Sequence, residues 1–67
     1  MTAIYKRVLE KKTECRMTWD ELAHAAGIGL SSWMTGVPIR NPPDKDLIKI
    51  APVLHTTFKW LKYGITE

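Results

Sequence analysis

The segment TWDELAHAAG, residues 18–27, marks both ends of one helix in local chemistry, and nothing else in the chain is so constrained. Thr18-Trp19-Asp20-Glu21 is a capping box. The Thr18 hydroxyl can accept from the backbone N–H of Glu21, and the Glu21 carboxylate can reach back to the N–H of Thr18. Met17 before the cap and Leu22 after it form a hydrophobic staple. Asp20 and Glu21 place negative charge in the first turn, where the helix dipole favours it. Gly27 closes the helix as a left-handed C-cap.

The remaining chain also reads as helix. No stretch alternates apolar and polar residues long enough to propose a strand. A first helix is expected from about Ala3 to Cys15. Ile4, Val8 and Cys15 lie near one face, and Arg16 stands where a cation favours the helix end. A short third helix is expected over Leu30 to Thr35, ended by Gly36. The loop VPIRNPP follows, and Asn41 or Pro42 opens a fourth helix with Asp44 and Asp46 near its positive end. Leu47, Ile48, Ile50, Ala51 and Leu54 give that helix its apolar face, and Pro52 predicts a kink or an early loss of regular hydrogen bonding. Thr56 or Thr57 caps a last helix, Phe58 to Tyr63, closed by Gly64.

Length and composition narrow the class. Sixty-seven residues, 45% hydrophobic and 25% charged, suit one soluble domain spanning 1–67 and exclude a disordered tail, a collagen-like chain and a multidomain enzyme. No apolar run approaches a membrane span, and the N-terminus lacks the apolar segment of a secretory signal. A single cysteine, Cys15, forms no internal disulfide, so a reducing, cytoplasmic setting is expected. Ten Lys and Arg against seven Asp and Glu give +3, and the segment from Lys6 to Arg16 holds Lys6, Arg7, Lys11, Lys12 and Arg16 against Glu10 and Glu14. Such a chain suits a polyanionic partner.

Residues 18–36 carry the functional pattern. Ala23 leaves room for a second helix to cross closely, Gly27 supplies the tight turn, and Trp33 is a large apolar anchor on the helix that follows. A capped helix, a glycine turn and a short anchored helix make a helix-turn-helix. The ordered set resembles the lambda-repressor-like helix-turn-helix family, the small DNA-binding domains of phage repressors and Cro proteins. The residues that carry it are Met17-Thr18, Leu22-Ala23, Gly27-Ile28, the W-x-x-G of Trp33 and Gly36, Leu47-Ile48-Lys49-Ile50-Ala51, and Trp60-Leu61-x-x-Gly64. They span about residues 4 to 64. Three departures stand out: Gly27 to Trp33 is shorter than usual, Trp19 replaces the customary Gln, and the loop from Gly36 to Leu47 is longer.

The resemblance implies a compact, all-α, five-helix DNA-binding domain and a transcriptional regulator in the cytoplasm of a bacterial host. It implies binding to a palindromic operator as a homodimer, with the third helix in the major groove. By position, the DNA-facing residues are Gly29, Leu30, Ser31, Ser32, Met34 and Thr35. None makes the bidentate base contacts of Arg, Asn or Gln, so Arg40 and Asn41 in the next loop are the expected polar readers. Lys45, and more weakly Lys6, Lys12 and Arg16, are candidates for phosphate, and Trp19 could lie against the sugar-phosphate backbone. Phe58, Trp60, Tyr63 and Ile65 are the expected dimer surface. The alternative is a helix-turn-helix used for protein binding, as in an antitoxin or an antirepressor adaptor.

Nothing in the residues suggests an enzyme, a metal, a cofactor or a small-molecule ligand. His24 and His55 lack partners at metal-ligand spacing. Cys15 reads as a buried thiol. Ser31 sits in G-L-S-S-W, not in a hydrolase elbow. The helix dipole alone accounts for Asp44 and Asp46.

Overall fold

The computed structural model describes residues 3–35 and 40–65, and every regular element within them is an α-helix. In chain order these are α1 (Ala3–Glu14), α2 (Trp19–Ala26), α3 (Ser32–Thr35), α4 (Asp44–Val53) and α5 (Phe58–Tyr63). None is long and apolar enough to cross a membrane. The expected end of the third helix at Gly36 lies outside the described residues.

The capping box of α2 forms in full. Glu21 N–H donates to Thr18 Oγ1 at 3.1 Å, and Thr18 N–H donates to Glu21 Oε1 at 2.9 Å. At the other end Gly27 takes φ 71°, Ile28 N–H donates to the Ala23 carbonyl at 2.9 Å, and Gly27 N–H to that of His24 at 3.2 Å. This double closure is a Schellman motif. Thr57, of the two threonines considered, caps α5 by accepting from Trp60 N–H at 3.1 Å.

Two further Schellman motifs use residues that sequence offers no reason to place there. Arg16 and His55 both have φ 56°. Met17 N–H reaches the Lys12 carbonyl at 3.1 Å after α1, and Thr56 N–H reaches that of Ala51 at 3.0 Å after α4. A side chain in the left-handed region costs about 1–2 kcal/mol, partly offset by the unfolded-chain entropy that glycine adds. His55→Gly is therefore expected to stabilise the fold by about 0.5–1 kcal/mol, seen as a Tm several degrees higher in a circular-dichroism melt. A lower Tm would show that the His55 side chain contributes more than its backbone strain costs.

Three boundaries differ from the sequence expectation. The third helix begins at Ser32 rather than Leu30, because the Ser31 carbonyl already accepts from Met34 and Thr35 at 3.0 and 3.1 Å. The fourth helix begins at Asp44, with Pro43 as its N-cap at φ −69°, ψ 154°. Pro42 cannot open it, since the following Pro43 pushes Pro42 out of the helical region. The first helix ends at Glu14, one residue early. α4 runs through Pro52 and stops at Val53, so the missing N–H falls in its last turn.

The core gathers Tyr5 and Val8 from α1, Leu22 and Ala23 from α2, Trp33 and Met34 from α3, Leu47, Ile50 and Ala51 from α4, then Leu54 and Leu61. α4 lies against both α2 and α5, and α5 against α1. Met34, expected to face outward, is fully buried. The single turn of α3 sends two consecutive large side chains inward instead of one. Tyr5, Trp19 and Trp33 form a ladder with centroid separations of 5.7 and 6.1 Å, which joins α1, α2 and α3.

Polar clamps close the C-terminal end of α5. Arg7 Nη1 donates to the carbonyls of Leu61 and Lys62 at 3.1 and 3.2 Å, satisfying the last turn. Gly64 has φ 73°, and a Cβ there would stand 2.8 Å from Arg7 Nη2. Gly64→Ala therefore meets both backbone strain and the guanidinium. The expected loss is about 1–2 kcal/mol in urea unfolding, and a loss below about 0.5 kcal/mol would mean that the turn relaxes freely. Lys62 also donates to Asp44 Oδ2 at 2.9 Å. That hydrogen bond, against partial desolvation, holds its ammonium above the ordinary lysine range.

Candidate nucleic-acid interface

Gly27 turns the chain out of α2 so that Ile28 packs inward and Gly29 and Leu30 stand exposed before α3. The chain re-enters this neighbourhood at Arg40 and Asn41, both exposed. Pro42 is buried behind them and fixes their approach to α4. Between the two segments lies a cleft of about 440 Å³ lined by Ile28, Gly29, Ser31, Trp33, Arg40, Asn41, Pro43, Lys45 and Asp46. Gly29, Ser31, Arg40, Asn41 and Lys45, which sequence reasoning took from separate stretches, thus share one site.

The cleft rests on a built pair. Trp33 is 3% exposed, and its Nε1–H donates to Asp46 Oδ2 at 3.1 Å. Asp44 is likewise held, by Lys62 at 2.9 Å. The two aspartates therefore do more than answer the helix dipole: each ties α4 to another helix. Ser31 Oγ is shielded from solvent and has no hydrogen-bond partner among the described residues. Leu30, half exposed, precedes α3, and the exposed Thr35 ends it. The side chain of Ser32 lies outside the described residues.

The cations divide into two groups. Arg7 closes α5, Lys11 pairs with Glu14 at 3.5 Å and lies over the Trp60 ring, and Lys12 donates to the Met17 carbonyl at 3.1 Å while lying over Trp19. Lys62 holds Asp44, and Lys59 is engaged as well. By contrast Lys6, Arg16, Arg40, Lys45 and Lys49 are exposed and form no ion pair among the described residues. The dense basic run of the first helix is thus largely spent on holding the fold. Lys49, one helical turn beyond Lys45, was missed in the sequence, although its four-residue spacing from Lys45 was visible.

Other expected residues fall elsewhere. Trp19 is half-buried between Tyr5 and Trp33, away from the cleft lining. Phe58 and Tyr63 meet edge to face at 6.4 Å, Ile65 is exposed, and Trp60 lies on the α1 side of α5 beneath Lys11. Cys15 is half-buried rather than buried, with Sγ 3.9 Å from the Leu54 carbonyl. No group of three His, Cys, Asp or Glu among the described residues could hold a metal.

Arg40, Lys45 and Asn41 therefore present a fork of donors, a point charge and an amide at one rim. These groups can bond phosphate oxygens or base edges. No family model, curated protein or solved structure matches this chain.

Proposed function

We propose that the protein is a sequence-specific, DNA-binding transcriptional regulator of the lambda-repressor-like type, comparable to Cro proteins or short phage repressors. In this reading two copies occupy a palindromic operator in the cytoplasm of a bacterial host. The observation that carries the proposal is the cleft beside the glycine turn, where Arg40, Asn41 and Lys45 stand together and Arg40 and Lys45 form no ion pair among the described residues. Leu30 and Thr35 supply apolar and hydroxyl contacts, and the loop residues supply the polar reading. One short helix makes few contacts, so useful affinity calls for two copies on one site.

Binding to random-sequence duplex across a salt series tests the reading. With about three phosphates neutralised per copy, log K is expected to fall with log salt at a slope of about −3 or steeper. Absence of binding at low salt would reject it. It would favour a helix-turn-helix that binds protein, as an antitoxin or antirepressor adaptor does. The inward turn of Met34, which removes one outward residue from α3, is the observation on that side.

A further inference from the structure

Asp46 is the acid among the described residues that line the cleft, where Arg40, Asn41 and Lys45 supply donors. Among the described residues it forms no ion pair with Arg40 or Lys45, although both share that lining. The indole of Trp33 holds it instead, with Nε1–H donating to Oδ2 at 3.1 Å. Trp33 is buried and packs edge-on against Trp19, so the carboxylate has a rigid partner. An ionised carboxylate offers about four acceptor positions, and the indole N–H fills one of them. Asp46 is only half-buried, so acceptor capacity remains at the cleft wall.

A fixed acceptor among donors selects what enters. Phosphate is repelled by the carboxylate, because like charges brought together are costly. A base edge that carries both acceptors and a donor fits instead. Guanine presents O6 and N7 as acceptors, and its partner cytosine presents the N4 amino group as a donor. Adenine also has an amino donor, but its N7 acceptor stands beside that donor and would face the carboxylate. Cytosine has no acceptor on its major-groove edge. We propose that Asp46 is a specificity-determining residue, whose carboxylate accepts from the N4 amino group of a cytosine in each half-site while Arg40 donates to guanine. This rests on the operator reading above and names what that operator contains, a G·C pair opposite the cleft. The bond from Trp33 that ties α3 to α4 also aims the carboxylate.

Selection from random duplex by the wild-type protein is expected to return a G·C pair at a fixed position of each half-site. Replacing its cytosine by 2-pyrimidinone removes the amino group and leaves the paired guanine in place. Wild-type affinity should then fall about tenfold, the scale of one base contact. Asp46→Asn turns the carboxylate into an amide. The amide oxygen can still accept from Trp33, which leaves the amide N–H donors toward the cleft. This variant should melt close to wild type by circular dichroism. It should bind the cytosine and 2-pyrimidinone duplexes within about twofold of each other, and its preference should move toward thymine, whose O4 is an acceptor. Half-sites without a fixed G·C pair, a wild type indifferent to 2-pyrimidinone, or an Asp46→Asn protein that keeps the whole preference for the amino group would each overturn the proposal. The selection and the 2-pyrimidinone duplex are read on unaltered protein, so they decide even where the variant unfolds. Failure to bind any duplex would reject the operator reading and this proposal with it, whereas tight binding without dependence on cytosine would reject the role of Asp46 alone.

Discussion

Trp33→Ala is expected to unfold a large fraction of the protein. The ring is 3% exposed, meets Trp19 edge-on at 6.1 Å, and anchors Asp46 through its N–H. Truncating a buried aromatic to alanine costs about 3–5 kcal/mol. A domain of this length holds only about 3–10 kcal/mol in total. The substitution therefore removes between a third and all of it. Trp33→Phe keeps an aromatic ring and loses the donor, so its cost of about 1–2 kcal/mol combines the lost bond to Asp46 with the smaller ring. Urea unfolding followed by circular dichroism reads both. An alanine variant within about 1 kcal/mol of wild type would mean that Trp33 does not anchor α3.

The same residue shows what sequence can carry. Trp33 was legible as an anchor because an apolar residue six after the turn glycine must face back toward α2. The helix α2 was legible to the residue, since caps are chemistry between near neighbours. The burial of Met34 was not legible, because α3 has only one turn and no periodicity to read. The start of α4 was misplaced by reading Pro42 alone, when the pair Pro42-Pro43 decides it. Arg16 and His55 in left-handed turns have no local signal at all.

The candidate site divides along the same line. Residue type identified Arg40 and Asn41 as polar readers and Lys45 as a phosphate contact, but their meeting with Gly29 and Ser31 needed the fold. Charge density pointed instead to the first helix. There Arg7, Lys11 and Lys12 turn out to be held by carbonyls, rings and a carboxylate, and the partners of Arg7 lie 54 and 55 residues away. Long-range pairing of that kind leaves no spacing to find. A basic run and a basic interface are thus different things, and only the partners of each cation separate them.

Arg40→Ala is the sharpest consequence. Arg40 is exposed and pairs with no carboxylate among the described residues, so the fold should survive its loss and the melt should match wild type. On a duplex recovered by selection from random sequence, affinity is expected to fall by about 1–3 kcal/mol, roughly 5- to 150-fold. How it falls identifies the contact. If the guanidinium reads a guanine edge, preference relaxes at one position of each half-site and the salt slope hardly changes. If it meets phosphate, every sequence weakens alike and the slope drops by about 1. Lys45→Gln, removing a point charge without a fork, should always follow the second pattern. Asn41, an amide suited to a base edge, stands beside Arg40 at the cleft. The base-reading pattern is therefore the expected one. Full affinity and full preference in the Arg40→Ala protein would remove this loop from the interface and leave recognition to the hydroxyls and Leu30 beside α3.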